Sequence, residues 1–276
     1  MSEDKIHKTL FVAGATFMVF FCLLPFVFMT AVSFSSSPEF LLPGHKFSFT
    51  LGHYRDILSS ASLHFHSYLL NSMVVSGTSA VLSVILATLA AFALTRLRMP
   101  GSGILLLGVL AVSMFPQISL AGYILNLMTR LELNNTYSAL VLPYTAWILP
   151  LSLWILASYF SQLPRDLDRA AVIDGCSNLQ ILLKVLIPVA KPGVFAALLL
   201  SFIAAFNEFM FALLLTSDHS ARTIPVGIAL FQGLHGETPW GTIMAASMLS
   251  ILPVIGLTLL FQRHIIGGLT KGAVKG

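Results

Sequence analysis

Glu208 is an acidic side chain that lies well inside an apolar stretch of the sequence, directly after Phe206 and Asn207. An ionised carboxylate in hydrocarbon is costly, so this group should face a water-filled path, pair with a cation or remain protonated. Three kinds of chemistry fit the position: a hydrogen-bond clamp between helices, the lining of a substrate path or its gate, and a proton relay. A relay commonly uses several ionisable groups in series, and none accompanies Glu208 in the sequence.

Gln117 is a second polar group placed at membrane depth, next to Pro116. A proline inside a helix frees a backbone carbonyl, and such a site normally faces the interior of a helix bundle or a cavity. Gln117 therefore joins Phe206, Asn207 and Glu208 as a candidate residue of a substrate path or gate.

Residues suited to catalysis or to metal binding do not form a recognisable set. The sequence has no glycine-rich phosphate loop ending in Lys-Ser or Lys-Thr, no acidic cluster suited to magnesium and no nucleophile–base–acid arrangement. Its two cysteines, Cys22 and Cys176, match neither a zinc nor a redox spacing. We therefore expect no enzyme activity, no metal site and no cofactor in this chain. If the protein is a pump, its energy must come from another polypeptide.

The composition places these residues in an integral membrane protein. The chain is 57% hydrophobic and 9% charged, its mean hydropathy is +0.89, and its apolar residues come in long blocks. A helix needs about 20 apolar residues to cross roughly 30 Å of hydrocarbon. The sequence therefore predicts a single all-α domain over residues 1–276, with membrane spans at 10–32, 68–94, 104–125, 137–160, 193–215 and 240–261.

The basic residues predict the orientation of these spans. Counted over alternate loops, the 15 Lys and Arg residues divide 11 to 4, and the richer side should be cytoplasmic. Both termini and the connection at 161–192 are then inside, and the loops at 33–67 and 216–239 are outside. The net charge of +4 is spread over the ends of the spans, so nucleic-acid binding is not expected.

Within the cytoplasmic connection, residues 163–188 carry dense charge between two apolar segments. Pro164 suits the first position of a helix, and Asp166 and Asp168 in the first turn face the positive end of the helix dipole. Gly175 can adopt the left-handed conformation that ends such a helix. These signals predict one short helix at the membrane surface.

A second short helix should follow at once. Ser177 and Gln180 have the spacing of a capping box, and Pro188 should limit this helix at its far end. On the first helix, Ala170, Ala171 and the glycine that ends it leave one side with almost no side-chain bulk, so another backbone could approach closely. The alternative is a plain amphipathic connector between membrane helices.

The same connection resembles the EAA loop of ABC importer permeases, which reads Glu-Ala-Ala, three residues, Gly, nine residues, Ile and, after a short gap, Leu-Pro. The corresponding residues are Arg169-Ala170-Ala171, Gly175, Val185 and Ile187-Pro188. Because Arg169 reverses the charge of the family's Glu, a salt bridge of that Glu cannot be carried over. The resemblance implies a set of ATPase-coupling residues: Asp168, Arg169, Ala170, Ala171, Asp174, Gly175 and Pro188.

Other segments are similar to the carbohydrate importers of this family. Residues 206–208 look like the Trp-Asn-Asp or Trp-Asn-Glu of their fifth helix, with Phe206 in place of Trp. Further likenesses lie at residues 71–72, at 173–175 and in the tail at 261–276. Together these segments make the chain similar to maltose- and trehalose-type permeases. The resemblance implies six transmembrane helices in the type I ABC importer permease fold, with a cytoplasmic coupling helix.

The resemblance also implies function and partners. The expected activity is import of a sugar, such as the disaccharides trehalose or maltose, across a bacterial plasma (inner) membrane. The expected partners are a second homologous permease subunit, two ATPase subunits that hold ATP and magnesium, and an extracytoplasmic solute-binding protein. The rival hypothesis is a self-contained secondary transporter or channel that uses Glu208.

In the outer loop at 216–239, the resemblance makes Arg222, His235 and Glu237 candidates for contact with the binding protein. The alternative is that this loop is only a solvated connector.

Overall fold

The computed structural model describes residues 3–37, 47–97, 99–231 and 238–273, and within these ranges the chain is almost entirely helical. Extended structure there is limited to an antiparallel bridge between Ser35 and Phe49. The helices in chain order are α1 (Glu3–Ser33), α2 (Gly52–Ser59), α3 (Phe65–Arg96), α4 (Ser102–Ser113), α5 (Gln117–Arg130), α6 (Tyr137–Gln162), α7 (Asp166–Ile173), α8 (Asn178–Gln180), α9 (Ile187–Val189), α10 (Lys191–Phe206), α11 (Met210–Leu215), α12 (Ile224–Ala229) and α13 (Trp240–Ala273). A 3₁₀ turn covers Ala61–Leu63, and a π-helical turn, Ile181–Leu186, lies between α8 and α9.

Four of these helices are long and apolar enough to cross a membrane unbroken: α1, α3, α6 and α13. Two bent pairs, α4 with α5 and the segment Asn178–Val189 with α10, raise the number to six if each pair is one span. The bounds of α3 and α6 lie within three residues of the predicted spans at 68–94 and 137–160. α13 continues to Ala273, well past the predicted end at residue 261.

Two of the predicted spans are each divided between two helices. α4 ends at Ser113 and α5 begins at Gln117, with an 86° bend between them. Pro116 lies in this break because it has no N–H to donate and disfavours helical backbone in the residue before it. The predicted span at 193–215 divides between Phe206 and Met210. Each break leaves backbone groups without helical partners inside an apolar stretch.

The chain forms two compact units, and the first comprises Met1–Phe65 and Ile228–Leu252. Polar contacts join α2 to its neighbours in this unit. The two ring nitrogens of His53 lie 3.2 Å from the Thr242 hydroxyl and 3.0 Å from the Ser35 carbonyl oxygen. These contacts connect α2 to α13 and to the backbone that follows α1.

The second unit comprises His66–Gly227 and Pro253–Gly276, and it contains the predicted coupling and path residues. A cluster of buried apolar side chains joins α3, α6, α7 and α10 in this unit. α10 approaches α6 closely at Gly193, where a β-carbon would overlap the ring of Tyr159. Glycine is therefore required at this position by the distance between the two helices.

Three buried hydroxyls also connect the core helices of the second unit. The Ser83 Oγ of α3 lies 2.8 Å from the Ser152 Oγ of α6, which in turn lies 2.7 Å from the Ser201 Oγ of α10. All three side chains are fully buried. Because each hydroxyl can donate one hydrogen bond and accept others, the chain of serines satisfies polar groups that would otherwise be unpaired inside the bundle.

Candidate functional site

The connection between α6 and α10 contains α7 and, as the sequence predicts, a second helical run, Asn178–Val189, which comprises α8, the π-helical turn and α9. α7 is closed at Gly175, whose φ of +78° lies in the left-handed region. The Gly175 N–H donates to the Val172 carbonyl at 3.0 Å, and the Cys176 N–H donates to the Ala171 carbonyl at 2.9 Å. This pair of bonds is a Schellman motif. A side chain at position 175 would meet no neighbouring atom, so the backbone conformation alone favours glycine.

The predicted capping box begins α8. The Ser177 hydroxyl accepts from the Gln180 N–H at 3.4 Å, and the Gln180 side-chain oxygen accepts from the Ser177 N–H at 2.8 Å. As predicted, Pro188 lies at the far end of this helical run, which ends at Val189 and then bends by 82°. Since Pro188 has no N–H to donate to the preceding turn, that turn opens into the π-helical segment Ile181–Leu186.

The exposed surface of α7 differs from the bare alanine side that the sequence predicts. Ala171 is 5% exposed and packs into the apolar cluster of its own unit, because its small side chain lets α7 lie close to that cluster. Ala170 and Asp174 are exposed. The large outward side chains are Val172 and Ile173, which are 59% and 86% exposed. A protein that docks on α7 would therefore meet two branched apolar side chains.

The two charged candidates on α7 form ion pairs of different kinds. Arg169 pairs with Asp166 at 3.1 Å within the same helix, and both side chains are largely exposed. Such a surface pair contributes little to stability. Asp168 instead pairs with Arg96 of α3 at 2.9 Å, and the Arg96 side chain is only 5% exposed. Arg169, which replaces the family's Glu, is thus paired with Asp166 of its own helix.

Glu208 lies in the break between α10 and α11 and caps the helix that follows. The side chain is 3% exposed, its Oε1 accepts from the Phe211 N–H at 2.8 Å, and its Oε2 accepts from the Ala212 N–H at 3.2 Å. The first N–H groups of a helix have no partner within the helix and form the positive end of its dipole, so a carboxyl group there is stabilising. This contact explains how an acidic side chain is accommodated inside an apolar segment.

Tyr144 of α6 is the polar neighbour of this cap. Its hydroxyl lies beside the Glu208 carboxyl group and close to the Thr223 hydroxyl, and its ring centroid is 6.4 Å from that of Phe211. The geometry falls short of a hydrogen bond, so the hydroxyls of Tyr144 and Thr223 are buried without one. The cap is therefore bordered by polar groups from α6 and from the loop that follows α11.

Two other candidate path residues flank the same break. Phe206 is buried and packs against Phe202, with 5.6 Å between ring centroids. Asn207 is exposed and ends α10, where its side-chain amide donates to the Ile203 carbonyl at 2.8 Å. Asn207 is thus the exposed polar group at this break, whereas the neighbouring carboxyl group is buried.

Gln117 lies at the start of α5 and lines a cavity of about 180 Å³ between α4, α5, α6 and α11. The lining is mostly apolar and includes Trp147, and Glu208 does not belong to it. The side-chain nitrogen of Gln117 is buried without a hydrogen-bond partner. The cavity that Gln117 lines thus borders Phe211, whose N–H binds Glu208, but not Glu208 itself.

Residues 216–223, which follow α11, are held by Asn71 in the first turns of α3. The Asn71 amide nitrogen donates to the carbonyl oxygens of His219 at 3.0 Å and Arg222 at 2.9 Å. Its amide oxygen accepts from the Tyr137 hydroxyl at 2.7 Å. Since Asn71 is 3% exposed, these bonds are protected from water and fix the loop to α3 and α6.

Asn135, just before α6, holds the other end of the same loop. Its side-chain oxygen accepts from the N–H groups of Ser217 at 3.1 Å and Asp218 at 3.4 Å. Hydrogen bonds with Asn135 and with Ser220 lower the pKa of Asp218 below its usual range. Sequence reasoning missed the roles of Asn71 and Asn135, although polar residues at the ends of apolar helices are a usable signal.

Of the three candidates for binding-protein contact, only Arg222 can be placed. It is half-buried, and its guanidinium group donates to the Ser217 carbonyl at 2.6 Å, so the side chain closes the loop on itself. His235 and Glu237 lie outside the described residues. Contact of these residues with a binding protein stays a prediction.

Comparison with known proteins places these features in a family. Residues 83–271 match the family described as the binding-protein-dependent transport system inner membrane component. The chain belongs to this family. The match extends from within α3 to within α13, so it contains the connection between α6 and α10, Glu208 and the loop at 216–223. The chain is therefore a multi-pass membrane protein and a permease component of an ABC importer.

Two relatives show which branch of the family is similar. The trehalose/maltose transport system permease protein MalG of Thermococcus litoralis is 51% identical over 277 residues and covers 100% of both chains. The trehalose transport system permease protein SugB of Mycobacterium tuberculosis is 37% identical and covers 95% of both chains. The predicted resemblance to carbohydrate-uptake permeases is thereby confirmed.

The fold also matches a solved structure. A chain of a bacterial ABC transporter involved in the import of the acidic polysaccharide alginate superposes with a TM-score of 0.77, at 20% identity, over 95% of this chain and 98% of that one. The similarity confirms the predicted all-α permease fold.

Proposed function

We propose that this chain is the membrane permease subunit of an ATP-driven importer for a disaccharide, with trehalose and maltose as the first candidates. The observation that carries the proposal is the 51% identity to a trehalose/maltose permease over the full length of both chains. The described residues supply a preorganised loop at 216–223 and a helix with exposed apolar side chains, which suit a protein that works through partners.

In the proposed complex, a second homologous permease completes the translocation path, and two ATPase subunits bind ATP and magnesium. Val172 and Ile173 of α7 dock against an ATPase subunit, because exposed apolar side chains on a charged helix mark a contact surface. The loop at 216–223 faces an extracytoplasmic sugar-binding protein. This arrangement requires both termini to lie in the cytoplasm.

Reconstitution of the complete transporter tests the proposal. The chain is co-expressed with its partners, purified through a tag on this subunit and placed in proteoliposomes with the binding protein. We expect mass spectrometry of the purified complex to identify a second permease and an ATPase. We expect uptake of labelled trehalose or maltose only when ATP is enclosed on the ATPase side.

The chain reconstituted alone provides the matched control. A secondary transporter or channel would carry substrate without the ATPase partner, whereas a permease subunit would not. Flux through the isolated chain at the rate of the full complex would contradict the proposal. The position of Glu208 as a helix cap already accounts for its burial without ion coupling.

A further inference from the structure

Arg96, the last residue of α3, is a buried cation at the end of a membrane helix. In the sequence it counts as one of the basic residues that predict orientation, for which an exposed side chain would suffice. In the structure its side chain is only 5% exposed. A buried guanidinium group needs hydrogen-bond acceptors, so its partners define what it does.

The Arg96 guanidinium group contacts two further helical elements. Its Nη1 donates to the Asp168 Oδ2 of α7 at 2.9 Å. Its Nη2 donates to the carbonyl oxygens of Phe160 at 2.6 Å and Leu163 at 3.0 Å, at the end of α6. Both carbonyls lie at the C-terminus of α6, which carries the negative end of the helix dipole, and the Phe160 carbonyl also accepts from the Leu163 N–H at 3.2 Å. One rigid side chain thus joins α3, α6 and α7.

The remaining polar contacts of α7 provide weaker connections. The Arg169–Asp166 pair lies within α7 and is exposed, so it ties the helix to nothing else. Arg165 reaches the Thr95 carbonyl at 3.3 Å from an exposed position. Apolar packing of Ala171 can hold α7 near the cluster but does not set its direction. The Arg96–Asp168 pair is the buried, directional link among the described contacts of α7.

We propose that Arg96 is a positioning residue that makes α3 and α6 follow the displacement of α7 when an ATPase subunit moves it. The inference rests on the proposed function, because it requires α7 to be the helix that the ATPase contacts. A planar guanidinium group can bind Asp168 and the α6 carbonyls together in fixed directions, whereas a lysine ammonium acts as a single point charge. Arg96→Lys should therefore keep the charge and lose the link.

The test measures sugar transported per ATP hydrolysed in proteoliposomes that contain the complete complex. For Arg96→Lys and for Asp168→Asn we expect partner subunits to co-purify and ATP hydrolysis to continue, while transport per ATP falls by about fivefold or more. Arg130→Gln, which removes an exposed arginine at the end of α5, is the matched control and should leave the ratio unchanged.

A double variant separates positioning from stability. Arg96→Met with Asp168→Leu removes both charges of the pair together, so neither is left without its partner. We expect this complex to assemble like the wild type and still to transport less sugar per ATP. A wild-type ratio in the double variant would overturn the inference, because the pair would then only stabilise the fold. Absence of ATP-driven uptake in the wild-type complex would instead refute the proposed function.

Discussion

Glu208 shows how a single carboxyl group can be accommodated inside an apolar segment. Its two oxygens accept the N–H groups of Phe211 and Ala212, which the break after α10 leaves without helical partners. The side chain therefore belongs to the start of α11. This arrangement differs from the clamp between two helices that the residue type suggests, because the donors are backbone groups only three and four positions away.

Glu208→Gln should lower stability and spare transport. The amide keeps one acceptor oxygen but turns an NH2 group toward the second backbone N–H, which is then left without an acceptor, and we expect this to cost about 1–2 kcal/mol. The thermal unfolding midpoint of the purified complex should fall, with a larger fall for Glu208→Leu. Uptake per assembled complex should match the wild type across the active pH range. Loss of uptake in an intact Glu208→Gln complex would support a proton relay instead.

Residue types indicated which polar positions are unusual but did not predict how those positions are bonded. Glu208 and Gln117 stand out because polar groups are costly in an apolar stretch. The bonding of Asn71 to His219 could not be predicted, because these residues are 148 positions apart. Arg96 was expected at a membrane boundary, and its burial against Asp168, 72 positions away, depends on how α3, α6 and α7 pack.

At the scale of helices, local signals were the reliable ones. The Ser177 capping box and the Gly175 termination are set by neighbouring residues, and both are present in the structure. Pro188 limits its helical run as predicted, but the widened turn that precedes it was not predicted from the proline. The break at Pro116 depends on whether the surrounding packing tolerates a bend, which sequence spacing alone does not reveal.

Gly193→Ala should destabilise the contact between α6 and α10. The added methyl group would overlap the Tyr159 ring, and overpacking of this kind costs about 1–3 kcal/mol. Gly77→Ala in α3 is the matched control, because a β-carbon there meets nothing within 4 Å. The thermal unfolding midpoint of the purified complex should fall only for Gly193→Ala. Equal midpoints for the two variants would contradict the close approach of the helices.

At the scale of the whole chain, composition and the blocks of apolar residues predicted an all-α membrane protein, and the resemblance to ABC importer permeases implied its fold. Similarity to known permeases confirms both predictions. The membrane class and the all-α character depend on many residues together, so a wrong interpretation of a single residue does not change either prediction. The division into two compact units could not be predicted, since it depends on which distant segments pack together.

The predicted orientation is testable with a cysteine-free chain carrying one introduced cysteine. Asp174→Cys places an exposed thiol at the end of α7, and Ser217→Cys places one in the outer loop. In intact spheroplasts, a membrane-impermeant maleimide should label position 217 and leave position 174 unlabelled. Permeabilised membranes should be labelled at both positions. Labelling of position 174 in intact spheroplasts would contradict the predicted orientation, because the end of α7 would then lie outside the cell.

The π-helical turn at Ile181–Leu186 affects the direction in which the exposed side chains of α7 point. A π-helical turn holds more residues than the 3.6 of an α-helical turn. It therefore rotates the residues before it about the helix axis, relative to the residues after it. Loss of one residue there would restore ordinary periodicity and rotate α7 and α8 by about 100° relative to α9. The direction in which the Ile173 side chain points therefore depends more on the number of residues in the segment 181–186 than on their identity.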